Sequence, residues 1–152
     1  MQQKFLKSNL FFLQGGGEMG ELTRNFDWEK TVLGIPENWP QSLRTALGIV
    51  LNSSFPMSLM WGSELIHFYN DAFRPCLGND GKHPSVLGQR GEDCWTEMWQ
   101  VTKPLIDKVF EGKSLWREDQ LIPIFRNGRI ENAYWTFGYS PVIDEIGSVA
   151  GV

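Results

Sequence analysis

Several clusters in this chain carry residue types that could do chemistry. Gly15-Gly16-Gly17-Glu18-Met19-Gly20-Glu21 has the glycine spacing of a phosphate-cradling loop. Such a loop needs Lys and then Ser or Thr after its last glycine. Glu21 and Leu22 follow here, and a carboxylate at that place repels phosphate. A flexible linker before a helix is the expectation. Glu118 and Asp119 are adjacent, so on a strand they point to opposite faces and cannot form a paired acid–base site. Asp144-Glu145 reads as a turn. With no nucleophile–base pair in view, no catalytic constellation stands out and these charges read as solvated surface. Two histidines, His67 and His83, and no Cys-x-x-Cys leave no zinc pattern. Trp135, Phe137 and Tyr139 alternate along a predicted strand and so share one face.

The elements that position these residues follow from punctuation and periodicity. Residues 1–14 read as a short helix or an arm, and the glycine triplet breaks the chain. Glu18 to Asn25 is predicted helical, with Met19, Leu22 and Phe26 on one side. Residues 41–51 form an amphipathic helix, since Leu43, Ala46, Leu47, Val50 and Leu51 recur at three- and four-residue spacing. Met57–Trp61 and Leu65–Tyr69 are the first two strands. Asn70 caps a short helix that ends at Gly78. Short helical turns are predicted within residues 84–94. A long helix spans Thr96 to Glu111, capped by Thr96, with Met98, Val101, Leu105, Ile106 and Val109 as its apolar stripe; Pro104 inside it should kink it. Leu115–Arg126 and Arg129–Tyr139 flank Asn127-Gly128, a dipeptide that favours the type I′ turn of a hairpin. After a turn over Asp144–Gly147, residues 148–152 begin a last strand, and the sequence stops inside it. The fold class is α+β: five antiparallel strands with helices inserted between the second and third.

Composition narrows the function. At 152 residues the chain is one domain, or one domain with an N-terminal extension. The net charge of −4 argues against nucleic acid, whose phosphates need a clustered basic face. No apolar run approaches the roughly 20 residues of a membrane span, and no small-residue cleavage site follows the N-terminal patch, so neither membrane insertion nor a signal peptide is expected. Two cysteines, Cys76 and Cys94, make no disulfide framework and point to a reducing cytoplasm. Seven Trp, ten Phe and three Tyr mean a tightly filled core or a lined cavity.

The wording of several segments resembles the PAS domain family. The markers are FPMSLMWG for the first strand, LIHFYNDAFRPCLG for the second strand and helix, VLGQRGEDCWTEMW before the long helix, and YWTFGYSPVIDEIGSVAGV for the last strands. Gly15 to Ser53 is similar to the leader that precedes such domains in bacterial sensor histidine kinases. The resemblance implies three parts: an arm and glycine linker (1–17), a helical leader (18–54) and a PAS domain (55–152). It implies a five-stranded antiparallel sheet with helices on one face, and a signal-input module of a cytoplasmic two-component phosphorelay. The chain is not expected to be an enzyme, since it carries no phospho-acceptor His ahead of a dimerisation helix and no glycine-rich ATP lid. The histidine kinase, with any further PAS modules, would lie downstream.

In that family the stripe of Trp135, Phe137 and Tyr139 faces the helices. It lines a ligand cavity or simply fills the core. Phe68, Phe73, Leu77, Trp95, Met98, Leu105 and Leu121 are expected in the same space, with Asn70, Thr102 and Tyr139 as polar groups; Asn70 also reads as a helix cap only. The ligand, if any, is an unknown small molecule. Flavin is not expected, because Gly88 to Trp95 lacks the Gly-x-Asn-Cys-Arg-Phe-Leu-Gln motif, nor haem, because the long helix has no His. Cys94 reads as a buried, inert thiol, although a thioester-linked chromophore needs only a placed Cys. The leader helix suggests a homodimer. The rival reading is a ligand-free interaction or dimerisation module of another signalling protein, such as a diguanylate cyclase or phosphatase; a small α+β enzyme is the third.

Overall fold

Helix α1 (Gly17–Asn25) begins where the glycine triplet, all at positive φ, turns the chain. The computed structural model describes residues 10–152, so the expected N-terminal helix or arm lies outside the described residues over 1–9. Phe11–Leu13 forms a single 3-10 turn. The first amides of α1 have no local cap. The Asp71 carboxylate receives them instead, from Glu18 N at 3.1 Å and Met19 N at 2.7 Å. Helix α2 (Gln41–Asn52) buries Leu43, Leu47, Val50 and Leu51. Its N-terminus is also held from a distance: Ser42 N and Oγ donate to the Glu145 carboxylate at 2.6 and 3.0 Å. Glu145 was expected to be plain surface charge; the Ser42 amide holds its carboxyl below the usual range.

Strands β1 (Ser58–Trp61) and β2 (Ile66–Tyr69) pair antiparallel, with Leu59 opposite Phe68 and Met60 opposite His67. The segment predicted as a helix from Asn70 is a turn followed by a 3-10 helix over Arg74–Leu77, and Gly78 follows at positive φ. Helix α3 (Gly91–Cys94) is one turn. Helix α4 (Trp99–Phe110) starts three residues later than Thr96, which makes no cap; Met98 occupies the N-cap. Pro104 lies inside α4, where it removes one backbone donor.

Strands β3 (Leu115–Arg126) and β4 (Arg129–Tyr139) form the predicted hairpin, with Asn127 and Gly128 both at positive φ. β5 (Val142–Ile143) and β6 (Val149–Gly151) complete the set. The architecture is α+β, with antiparallel strands in two sheets: β2-β1-β6-β5 and β3-β4. The single five-stranded sheet that the sequence suggested is divided at Ser140-Pro141. Pro141 has no N–H to give a ladder, which favours a break there.

The β1–β2 pair is covered on both sides. On one, Leu59 and Phe68 meet the leader: Phe68 stacks on Trp28 with ring centres 4.8 Å apart, and Trp39 meets both rings edge-on. Leader and strands share one core, in which Trp28, Leu43 and Leu47 join Leu59 and Phe68. On the other side lie Met60, packed with Ile106 of α4, and His67 and Tyr69, whose rings meet that of Phe73.

Candidate functional site

A cavity of about 760 Å³ lies between the two sheets, walled by β1, α4, β3 and β4. Of the twelve residues expected to line such a space, Phe73, Trp95, Met98, Thr102, Trp135, Phe137 and Tyr139 do. The stripe on β4 does share one face, and Trp135 fixes its indole by donating Nε1–H to the Ile122 carbonyl at 3.0 Å.

Five expected residues are elsewhere, each for a physical reason. Phe68 is fully buried on the opposite face of β2, against Trp28 and Trp39. Leu77, the last residue of the 3-10 turn, is buried in the core, and Phe73, just before that turn, reaches the cavity. Leu105 is half-buried because α4 turns Thr102, Ile106 and Val109 inward; Val101 of the predicted stripe is exposed for the same reason. Leu121 is 42% exposed. The register explains it. Arg117 pairs with Phe137 and Gln120 with Trp135, so β3 carries one residue more than β4 across that step. Asp119, at φ +47°, sits in this bulge. One extra residue reverses every side chain beyond it. Ile122 and Ile124 therefore line the cavity and Leu121 faces out.

Asn70 does not reach the cavity either. Its Oδ1 accepts Phe73 N at 3.0 Å, as a cap does, and also Met57 N at 3.1 Å. Its Nδ2 donates to the carbonyls of Val50, Ser53 and Phe55, at 2.9, 3.2 and 2.7 Å. One side chain thus ties the end of α2 to the start of β1 and the end of β2.

His67 is the residue the sequence reading missed. It lines the cavity, is 1% exposed, and its Nδ1 has no hydrogen-bond partner among the described residues. Burial pushes the imidazole down to about 3, so the ring is neutral near pH 7. Tyr69, Phe73 and Trp95 crowd it, with ring centres 5.6, 6.3 and 5.3 Å away. Its one sequence signal was a His in a strand that is otherwise wholly apolar or aromatic.

Besides the indole N–H groups of Trp95, Trp99, Trp116 and Trp135, the other polar side-chain groups of the lining are hydroxyls: Ser58, Thr102, Thr136, Tyr139 and Ser140. Thr102 donates to the Met98 carbonyl at 3.2 Å. Burial pushes the Tyr139 phenol up to about 12. No Asp, Glu, Lys or Arg is among the lining residues.

Behind the Trp95 wall lies an ion pair. Lys82 Nζ is 2.9 Å from Glu97, with about a tenth of each side chain exposed. Lys82 also donates to the Cys94 carbonyl at 2.7 Å and stands 4.8 Å over the Trp95 ring. Glu97 in turn accepts Phe125 N at 2.9 Å, so the pair joins the loop before α3 to β3.

Cys94 is buried outside the cavity lining, and burial pushes its thiol up to about 12, which suits a packing residue and not a nucleophile. Among the described residues no group of three or more His, Cys, Asp and Glu is placed to hold a metal, and no helix is long and apolar enough to cross a membrane. Compared with known proteins, the chain matches no family model, no curated protein and no solved structure.

Proposed function

We propose that this chain is a sensory input module of the PAS type that binds a small molecule between its two sheets. The observation that carries the reading is the cavity itself: some 760 Å³ of apolar-walled space with a buried polar atom facing no protein partner. Ligand sites are built this way, as largely apolar hollows with a few polar groups that fix orientation. The strand arrangement supports the family resemblance. β4 and β5 are separated only by Ser140 and Pro141, so read as one interrupted strand they join the sheets into five antiparallel strands, in the order β2-β1-β6-β5/β4-β3.

On this reading a ligand acts by population shift, favouring one arrangement of hairpin and helices over another. Met60 N and Val152 O are 2.9 Å apart, so β1, which lines the cavity, is bonded directly to the end of the last strand. The bias would pass along that strand to an output unit, for which a histidine kinase of a cytoplasmic phosphorelay is our proposal. The chain itself would catalyse nothing.

A second reading, an interaction or dimerisation module, draws on the outer face of the hairpin. Leu121 opposite Tyr134 and Phe125 opposite Ile130 leave four large apolar side chains exposed there. A homodimer through such a face is compatible with ligand binding on the other side.

Native mass spectrometry of freshly purified protein, with a visible absorption scan, tests both. A co-purified small molecule is the expected result. A protein that carries nothing and binds no apolar probe would leave the interaction module as the better account, and the same spectrum reports the oligomeric state. An absorption band in the visible would bring back the bound chromophores that the sequence argues against.

A further inference from the structure

Resting on the reading of this cavity as a ligand site, we propose that its occupant is an uncharged aromatic molecule bearing an N–H or O–H group, and that Nδ1 of His67 receives that hydrogen. The first ground is charge. No side-chain carboxylate, ammonium or guanidinium lines the space. An ion entering it would lose its hydration with nothing to pair with. The second ground is the walls. Phe73, Trp95, Trp99, Trp135, Phe137 and Tyr139 surround it, and their rings offer faces and edges to another ring.

The third ground sets which partner donates. A neutral imidazole has one N–H and one bare lone pair. The Val86 carbonyl, which can only accept, lies near this ring and favours a proton on the nitrogen that faces it. We assign the N–H to that nitrogen, and the one without a partner is Nδ1. Nδ1 is therefore the lone pair. It cannot turn to solvent, because Tyr69 and Trp95 flank the ring at 5.6 and 5.3 Å between centres. A buried acceptor left unmet is costly, so a molecule that supplies the missing hydrogen is favoured over the same molecule without it.

Calorimetric titration of the whole chain with indole, 1-methylindole and indole-3-acetate separates these requirements. Indole should bind. 1-Methylindole, which has the same rings and no N–H, should bind at least about tenfold more weakly, as expected for an unmet buried acceptor. The carboxylate of indole-3-acetate should abolish binding. In His67→Phe the two neutral indoles should differ by less than about twofold, because the acceptor is gone. Equal binding of indole and 1-methylindole to the unaltered protein would overturn this proposal and leave the ligand cavity standing. Failure of all three to bind would remove the cavity reading itself.

Should His67→Phe not fold, nitrogen-15 spectra of the unaltered protein decide the point. His83→Gln removes the only other imidazole and so assigns the signals. Adding indole should move the Nδ1 resonance of His67 towards that of a hydrogen-bonded acceptor. A resonance that stays put while indole binds, as it would if a water already occupied Nδ1, would overturn the assignment.

Discussion

The carboxylate of Asp71 accepts the backbone N–H of Met19 at 2.7 Å, across more than fifty residues of chain. This contact joins the turn after β2 to the first turn of α1. A helix N-terminus has unpaired amides and a partial positive charge, and a carboxylate answers both. Beside it Glu18 meets Arg74 and, at 3.3 Å, the ring of His83, which in turn bonds Tyr69 Oη at 2.8 Å. The leader is therefore anchored to β2, the strand that carries His67 into the cavity lining.

Asp71→Ala should cost about 1 kcal/mol of stability, the usual price of a lost cap. Thermal unfolding measures it. Hydrogen exchange should quicken first at the amides of Glu18 and Met19, and a loss spread evenly over the molecule would show that the cap is incidental.

Burial of His67 makes stability depend on pH in a definite direction. The folded ring is pushed down to about 3 from an ordinary 6.5, so the unfolded chain takes up a proton first as pH falls. The stabilisation is complete above about pH 6.5 and drains away towards pH 3, with a limiting slope near 1.4 kcal/mol per pH unit. Glu131 and Glu145 are held below the carboxylate range by the Arg126 guanidinium and the Ser42 amide, and add their own loss only below about 4.5. Urea unfolding between pH 6.5 and 4.5 therefore isolates His67. The slope there should flatten in His67→Phe; an unchanged slope would mean that the imidazole is not buried.

What could be read in advance was local. The β3–β4 hairpin carries its own turn, Asn127-Gly128, and its strand limits are those expected. Trp135, Phe137 and Tyr139 alternate on the strand that has no bulge. β2 defeated the same reasoning because both its faces are covered. Ile66-His67-Phe68-Tyr69 has no polar side to mark, so nothing told Phe68's face from His67's. On β3 the parity was set by a bulge at Asp119 that Glu118-Asp119-Gln120 does not announce. The caps from Asp71 and Glu145, and the Lys82–Glu97 pair, arise only when distant segments meet, which no local pattern encodes.

The Lys82–Glu97 pair should behave as a buried ion pair. Lys82→Met alone strands Glu97, with about a tenth of its side chain exposed, and Glu97→Leu strands Lys82. Each single change should cost about 3–5 kcal/mol, because the remaining charge stays buried without its partner. The double replacement Lys82→Met with Glu97→Leu should cost less than the two singles together. Chemical denaturation of the four proteins closes the cycle, and simple additivity would place both side chains in water.

Thr102 probes whether the cavity is space or packed core. Its side chain is buried on the inner face of α4 and its hydroxyl is spent on the Met98 carbonyl one turn back. Thr102→Leu puts extra carbon into the cavity. Where a core is already full, added methylenes force strained rotamers and cost about 1–3 kcal/mol. Where space is empty, filling it stabilises by about 0.5–2 kcal/mol. We expect the second result, together with weakened binding of neutral aromatic probes, because the leucine occupies their volume. A destabilised Thr102→Leu that binds those probes as before would mean that the aromatic rings around His67 close on one another and leave no room for a guest.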